Sequence, residues 1–137
     1  MLKRVVLAVD GDALVRISAV HIVTDAGCLA LDAPSAECAI AILERRSDIR
    51  AVFTDINMTG TMDGLKLAHA IRGRWPPIHL IVTSGLNVQD QLPANSLFVP
   101  KPYSAEQVTA ALHSVFDSSP SLGGFPDVDG RNCGRVA

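Results

Sequence analysis

The chain alternates between short apolar runs and stretches in which apolar residues recur every three or four positions. Apolar runs rich in Val, Ile, Leu and Phe and bounded by turn residues predict buried strands. Five such runs are present, at residues 3–9, 28–33, 49–54, 78–82 and 96–99. The stretches after them have the spacing that places apolar side chains on one side of a helix. In the first of these stretches the residues at this spacing are Leu14, Ile17, Val20 and Val23 or Ile22. This alternation predicts an α/β fold with a doubly wound, five-stranded parallel sheet flanked by helices.

Start and stop signals place four of the helices. Ser35, Asp63 and Ser104 stand where an N-cap is expected. Gly27 stands directly after the first helix, at the C′ position where glycine commonly ends a helix. Between the fourth and fifth strands, residues 86–93 are mostly polar and contain a proline, which predicts a short helix at most. The four predicted helices cover residues 13–26, 36–46, 64–74 and 105–116.

The apolar content predicts one folded domain followed by a tail. Of the 137 residues 48% are hydrophobic, which is enough for a single core over residues 1–117. From 118 to 137 the chain is rich in Ser, Gly, Pro and Asp without any periodicity. We therefore expect residues 118–137 to be a flexible C-terminal tail.

Charge and composition argue against several classes of function. The net charge is −2 and the basic residues are scattered, so we expect no nucleic-acid binding. No apolar run approaches the roughly 20 residues of a membrane span, and the N-terminus has no signal-peptide pattern. The three cysteines lack zinc-site or CxxC spacing, as a reducing compartment permits. We expect a cytoplasmic protein with no membrane contact.

Polar residues follow four of the predicted strands at the point where each strand ends. Because the carboxyl ends of parallel strands share one edge of a sheet, these side chains should converge. Clustered carboxylates favour a hard divalent cation, with Mg²⁺ the leading candidate, and the lysine and hydroxyl groups would then meet phosphoryl oxygens. A carboxylate nucleophile fits this set, and Asp55, which ends the run AVFTD, is the first candidate. The residues are Asp10, Asp12, Asp55, Thr83, Ser84 and Lys101.

Four motifs together resemble a known family. They are VVLAVDGDALVR at the end of the first strand, VFTDINMTGTMDGLKLAHAIR around Asp55, LIVTSG at Thr83 and LFVPKPYS around Lys101. Over residues 1–117 the chain resembles the receiver domain of a bacterial two-component response regulator, here as a stand-alone, single-domain protein. The resemblance implies the flavodoxin-like receiver fold.

The resemblance also implies a function. Asp55 would accept a phosphoryl group from a histidine kinase or a histidine phosphotransfer protein, and the chain would be a phosphoacceptor and not an enzyme. With no output domain, it would signal by contact with a downstream effector protein. By the same match Thr83 is the switch hydroxyl, Lys101 pairs with the acyl phosphate, and Phe98 is the switch aromatic residue. The bond between Lys101 and Pro102 matches a peptide that is cis in the family.

A Mg²⁺ site is implied as well, but with one departure from the family pattern. The matching ligands are Asp10, Asp55 and the main-chain carbonyl of Asn57. Receivers usually have two adjacent acids after the first strand, and here Gly11 stands in the second place. We therefore expect weakened metal affinity. Asp12 has two open interpretations, since it would serve either as a surrogate metal ligand or as the N-cap of the first helix.

Two other functions stay open on the sequence alone. One is a phosphorylation-independent, receiver-like docking module, because Gly11 removes a metal carboxylate. The other is a haloacid-dehalogenase-like phosphatase, because VDGDAL fits a DxDx motif with Asp10 as nucleophile and Asp12 as acid and base. That interpretation leaves VFTDINM unexplained, and its expected late pair of acids is found only at Asp127 and Asp129 in the tail.

Overall fold

A five-stranded parallel sheet forms the centre of the fold, in the order β2-β1-β3-β4-β5. The computed structural model describes residues 4–56 and 63–117. The strands are β1 (Val5–Val9), β2 (Leu29–Ala33), β3 (Ile49–Asp55), β4 (His79–Ser84) and β5 (Ser96–Pro100). The chain order reverses between β1 and β3, and this confirms the predicted doubly wound parallel sheet.

Helices cover both faces of the sheet and build two apolar layers. They are α1 (Ala13–Asp25), α2 (Ala36–Arg45), α3 (Gly64–Arg74) and α4 (Ala105–Asp117). The side chains of Val5, Leu7 and Val9 on β1 enter the layer under α2 and α3. Those of Val6 and Ala8 enter the layer under α1 and α4. Because successive side chains of a strand point to opposite faces, a strand covered on both sides must be apolar throughout.

Side-chain caps begin the helices where the sequence places them. Ser35 Oγ accepts a hydrogen bond from the main-chain N–H of Cys38, and Asp63 Oδ1 accepts one from that of Lys66. At α4 the cap is reciprocal, because the Gln107 N–H donates to Ser104 Oγ while the Ser104 N–H donates to Gln107 Oε1. These bonds satisfy N–H groups that a helix start leaves without partners.

Helix α1 differs from the sequence expectation in the face that it buries. The helical spacing of Leu14 and Ile17 predicts that both face the sheet, but these residues are 79% and 54% exposed. Ala19 and Val23 are the residues of α1 that are buried against the sheet. Residues three positions apart are neighbours on a helix surface, so Leu14 and Ile17 form an exposed apolar patch. This patch lies at the N-terminal end of α1.

The connection from β4 to β5 contains a single 3₁₀ turn, Gln89–Gln91, as the sequence predicts. Helix α3 supports this connection with side chains. His69 Nε2 lies 2.7 Å from the carbonyl oxygen of Gln91, and Arg72 Nε donates to that of Ala94 at 2.9 Å. A second nitrogen of Arg72 donates to the carbonyl of Asn95 at 3.3 Å. The connection is therefore held by side chains of α3 in addition to the hydrogen bonds of its own 3₁₀ turn.

Two of the sequence expectations concern residues that the structure does not describe. The predicted tail, 118–137, and Asn57 lie outside the described residues, so both stay predictions. Among the described helices, none has the length and apolar character needed to cross a membrane.

Gly64 is the point where α3 meets the end of β3 most closely. A Cβ atom there would collide with the main-chain carbonyl of Asp55, whereas a Cβ at Gly73 in the same helix would meet nothing within 4 Å. We expect Gly64→Ala to lower the free energy of unfolding by about 2–3 kcal/mol. Gly73→Ala should raise it by about 0.5–1 kcal/mol. Urea unfolding of both variants is the measurement, and equal stabilities would contradict this packing.

Candidate functional site

Four strand ends bring four functional side chains to the carboxyl edge of the sheet. Asp55 ends β3 and is paired in register with Thr83 on β4. Asp10 follows β1, and Lys101 follows β5. Asp10, Asp55 and Thr83 are all buried, while Lys101 is partly exposed. The structure thus brings these four of the six predicted strand-end residues to one edge of the sheet.

Lys101 and Asp55 form an ion pair at this edge. Lys101 Nζ donates to Asp55 Oδ2 at 2.9 Å, and the Asp55 side chain is only 7% exposed. The Lys101 N–H donates to the carbonyl of Ser84, and the Lys101–Pro102 peptide is cis, as the resemblance implies. Partial burial acts to lower the pKa of Lys101, but the hydrogen bond and charge of Asp55 outweigh it and raise that pKa. Lys101 is therefore a cation throughout the neutral range.

Asp10 is a second acid at this edge that is buried. Its Oδ1 accepts a hydrogen bond from the Asp12 N–H at 2.8 Å, and its own N–H donates to the carbonyl of Ala33. Burial raises the pKa of Asp10, the Asp12 N–H partly offsets this effect, and the negative charge of Asp55 raises the pKa further. Ionised Asp10 is therefore strained by desolvation and by the neighbouring acid.

A divalent cation would relieve this strain. Mg²⁺ is commonly held by one or two carboxylates while it keeps several waters, and Asp10 with Asp55 meets that requirement. No group of three or more His, Cys, Asp or Glu able to hold a metal occurs in residues 4–56 and 63–117. The predicted carbonyl ligand of Asn57 belongs to the part of the chain not described. The site therefore fits Mg²⁺ with two acids.

Asp12 is occupied as a helix cap. Its Oδ1 accepts hydrogen bonds from the N–H groups of Leu14 and Val15 at 2.9 and 3.2 Å, which is the N-cap interpretation of this residue. A role as surrogate metal ligand stays a prediction. The fold does not require glycine at position 11, because an added Cβ would meet only the Pro34 carbonyl oxygen, at 3.8 Å. The missing acid at Gly11 is thus a chemical difference and not a steric necessity.

Thr83 and Phe98 occupy neighbouring strands, one position out of register. Thr83 pairs with Val99, and Phe98 pairs with Val82. Thr83 Oγ1 is buried, and it has no hydrogen-bond partner among the residues that the structure describes. Phe98 is partly exposed and lines a cavity of about 440 Å³ together with Ser84 and the chain that follows it. The buried hydroxyl is a donor available to a ligand oxygen at this edge.

Two further residues belong to the site although the sequence reasoning assigned them no role. Tyr103 packs edge-on against Phe53 with ring centroids 5.7 Å apart. Burial raises the pKa of Tyr103, and the charge of Asp10 adds to this, so its hydroxyl lies in the field of the site. Arg16 Nη1 donates to the main-chain carbonyl of Asp10 at 2.9 Å. Both residues lie inside the motifs on which the resemblance rests, and this position was the only sign in the sequence that they belong to the site.

One family model matches most of the chain, and solved structures share its fold. The model of the response regulator receiver domain matches residues 6–113. A response regulator receiver protein from Sinorhizobium medicae WSM419 is 24% identical with a TM-score of 0.78, over 85% of this chain and 96% of that one. CheY4 of Vibrio cholerae is 20% identical with a TM-score of 0.72, over 82% and 98%. Comparison with curated protein sequences gives no match.

One solved structure is of a longer protein. NtrX from Brucella abortus, in complex with ATP, is 26% identical with a TM-score of 0.75. The match covers 85% of this chain but only 27% of that one. The likeness is therefore to one part of a larger protein.

The strain on Asp10 predicts a pH-dependent gain in stability when its charge is removed. The pKa of Asp10 in the folded protein lies above the ordinary value of 3.8. Asp10 therefore contributes most to the free energy of unfolding below pH 3.8, and this contribution is lost as the pH rises through the folded pKa. Asp10→Asn should therefore raise the free energy of unfolding at pH 7 without metal, by on the order of 1 kcal/mol. The gain should vanish near pH 3.

Asp48→Asn is the matched control, measured in the same denaturant series. The hydrogen bond from Arg46 lowers the pKa of Asp48, so this substitution should have the opposite sign and reduce stability at pH 7. A stability of the Asp10→Asn protein that is unchanged, or reduced, at pH 7 would contradict the account of Asp10.

Proposed function

Because the chain belongs to the response regulator receiver domain family, we propose that it accepts a phosphoryl group on Asp55 and signals through protein contact in a two-component phosphorelay. The phosphodonor is a histidine kinase or a histidine phosphotransfer protein in the cytoplasm, and the recipient of the signal is an effector protein. The observation that carries the proposal is the ion pair between Lys101 and Asp55, with Asp10 as a second buried acid beside it. The chain acts as a phosphoacceptor and not as an enzyme.

In this proposal each residue of the site has a task. A carboxylate oxygen of Asp55 attacks phosphorus, the bond from phosphorus to the donor imidazole nitrogen breaks, and the imidazole leaves with the bonding electron pair. The Lys101 ammonium, already in contact with Asp55, moves to a phosphoryl oxygen. The Thr83 hydroxyl donates a hydrogen bond to another phosphoryl oxygen. Mg²⁺ held by Asp10 and Asp55 would neutralise charge on the phosphoryl group.

The same contacts disfavour the phosphatase alternative. A DxDx enzyme would need Asp10 as nucleophile and Asp12 as acid and base. The lysine in this site donates to Asp55, and Asp12 Oδ1 is engaged with two helix N–H groups. The docking-module alternative rests on a specific observation, the absence of an acid at Gly11, and it is the second candidate.

Helix α1 offers a surface for the phosphodonor. Leu14 and Ile17 are exposed, and they lie within two turns of Asp12 at the edge that holds the site. Exposed apolar side chains next to a reactive group are typical of a protein contact. We place the docking of the phosphohistidine domain on this patch.

The signal leaves the site through Ser84, which follows Thr83. Its Oγ accepts a hydrogen bond from the Leu86 N–H, and its carbonyl accepts one from the Lys101 N–H. Ser84 also lines the cavity beside Phe98. A shift of Thr83 toward a phosphoryl oxygen therefore displaces the start of residues 86–93 and the surroundings of Phe98. The output face consists of residues 86–93, β5 and α4.

The first test of the proposal is the site of phosphorylation. With Mg²⁺ and acetyl phosphate, mass spectrometry after borohydride reduction should locate one acyl phosphate, on Asp55. Asp55→Asn should abolish labelling, because the nucleophile is gone. Asp63→Asn is the control, since asparagine preserves the N-cap of α3, and it should be labelled at the parent rate. An Asp55→Asn protein labelled at the parent rate would refute the proposal, and an unlabelled parent would favour the docking module.

Thr83→Ala tests the coupling to the output face. The variant should still be phosphorylated on Asp55, because Thr83 does not carry the reaction. The changes in amide hydrogen exchange across residues 86–116 that follow phosphorylation should be lost, since the new hydrogen bond is worth about 1.5–3 kcal/mol. Ser96→Ala, which removes the other buried hydroxyl without a partner in the described chain, is the control and should keep them. Unchanged exchange differences in Thr83→Ala would exclude Thr83 as the switch.

A further inference from the structure

Arg16 joins the ends of two strands to α1. Its Nη1 donates to the main-chain carbonyl of Asp10 at 2.9 Å, and its Nε donates to Asp32 Oδ2 at 3.0 Å. The Arg16 side chain is 18% exposed and that of Asp32 is 51% exposed, so Arg16 is a partly buried cation with a partner and not a free surface charge. Its own N–H donates to the carbonyl of Asp12, which places it in the first turn of α1. One guanidinium thus contacts residues at the ends of β1 and β2.

The main chain at Asp10 needs such a support. Its N–H bond to the carbonyl of Ala33 is 3.2 Å long, and the next residue, Gly11, has no side chain to pack. The turn from Asp10 to Asp12 is therefore held by hydrogen bonds, of which the Arg16 bond is one of the shortest. Glycine also allows the chain more conformations than any other residue. Without Arg16 the direction of the Asp10 carboxylate would be less well defined.

The orientation of the Asp10 carboxylate matters more in this chain than in a receiver with two adjacent acids. With glycine at position 11, Asp10 and Asp55 are the acids in the described residues that lie beside the proposed metal position. Mg²⁺ tolerates little departure from octahedral geometry. The next acid along the chain, Asp12, already accepts hydrogen bonds from the start of α1, so it is poorly placed to replace a displaced Asp10.

The effect of Arg16 on Asp10 is geometric. After burial and the Asp12 N–H, the pKa of Asp10 responds to the charges of Asp55, Lys101 and Asp12. The charge of Arg16 is not among the causes, and its guanidinium is paired with Asp32. A group that holds a ligand by its main chain, without changing its charge, affects metal affinity through orientation.

We propose that Arg16, with Asp32 as its counter-ion, is a positioning residue that directs the Asp10 carboxylate toward the cation at the phosphorylation site. This inference rests on the proposed function. Through Arg16, Asp32 at the end of β2 would help to orient Asp10.

The test is a Mg²⁺ titration of the unphosphorylated protein, followed by the amide resonances of residues 10–12. Arg16→Met removes both donors and keeps an apolar stem, and it should weaken Mg²⁺ binding about 10-fold. Arg46→Met is the matched control, because Arg46 pairs with Asp48 away from this edge, and it should bind as the parent does. The rate of phosphorylation of Arg16→Met by acetyl phosphate should be reduced most at low Mg²⁺ and should recover as Mg²⁺ approaches saturation, because the variant loses affinity for the cation.

Arg16→Lys is the second variant, and it separates a loss of Mg²⁺ affinity from a loss of folding. A single ammonium cannot bridge the Asp10 carbonyl and Asp32 as the guanidinium does, so Mg²⁺ affinity should fall while the melting temperature stays near that of the parent. Parent-like affinity in both variants would overturn the proposal, as would a parent protein that binds no Mg²⁺. Failure of the proposed function is a separate result, since it would appear as a parent protein that is not labelled on Asp55.

Discussion

The ion pair between Lys101 and Asp55 is the interaction on which the rest of the site depends. Asp55 and Asp10 are buried acids at one edge of the sheet, and unpaired buried charges are costly. Lys101 is the cation that makes this arrangement tolerable, and its place is set by the bond from its N–H to the Ser84 carbonyl. The register of β3, β4 and β5 therefore decides whether the site can exist.

The site also contains groups that the resting protein leaves poorly satisfied. Burial and the charge of Asp55 raise the pKa of Asp10, and the buried Thr83 hydroxyl has no partner among the described residues. Both features cost stability in the absence of a ligand. A cation and a phosphoryl group would supply the missing interactions, so the strain favours binding. This is the expected pattern for a functional site in an otherwise consistent fold.

The fold followed from local signals, because the apolar runs and the caps at Ser35, Asp63 and Ser104 each act within a few residues. The strand-end residues could be predicted from topology alone. The buried face of α1 could not be predicted in full, because Leu14 and Ile17 have helical spacing but are exposed to solvent. Roles that depend on contacts distant in sequence were also missed. Arg16 meets Asp32 sixteen residues away, and no periodicity signals such a pair.

The central claim is that a phosphoryl group on Asp55 replaces the resting ion pair and is sensed at the output face. Amide chemical shifts measured with and without beryllofluoride, a phosphoryl mimic on Asp55, test it most directly in the presence of Mg²⁺. We expect shifts at Thr83, Ser84 and Lys101 that continue through residues 86–116, and none in Asp55→Asn. Identical spectra of the parent protein with and without the mimic would contradict it.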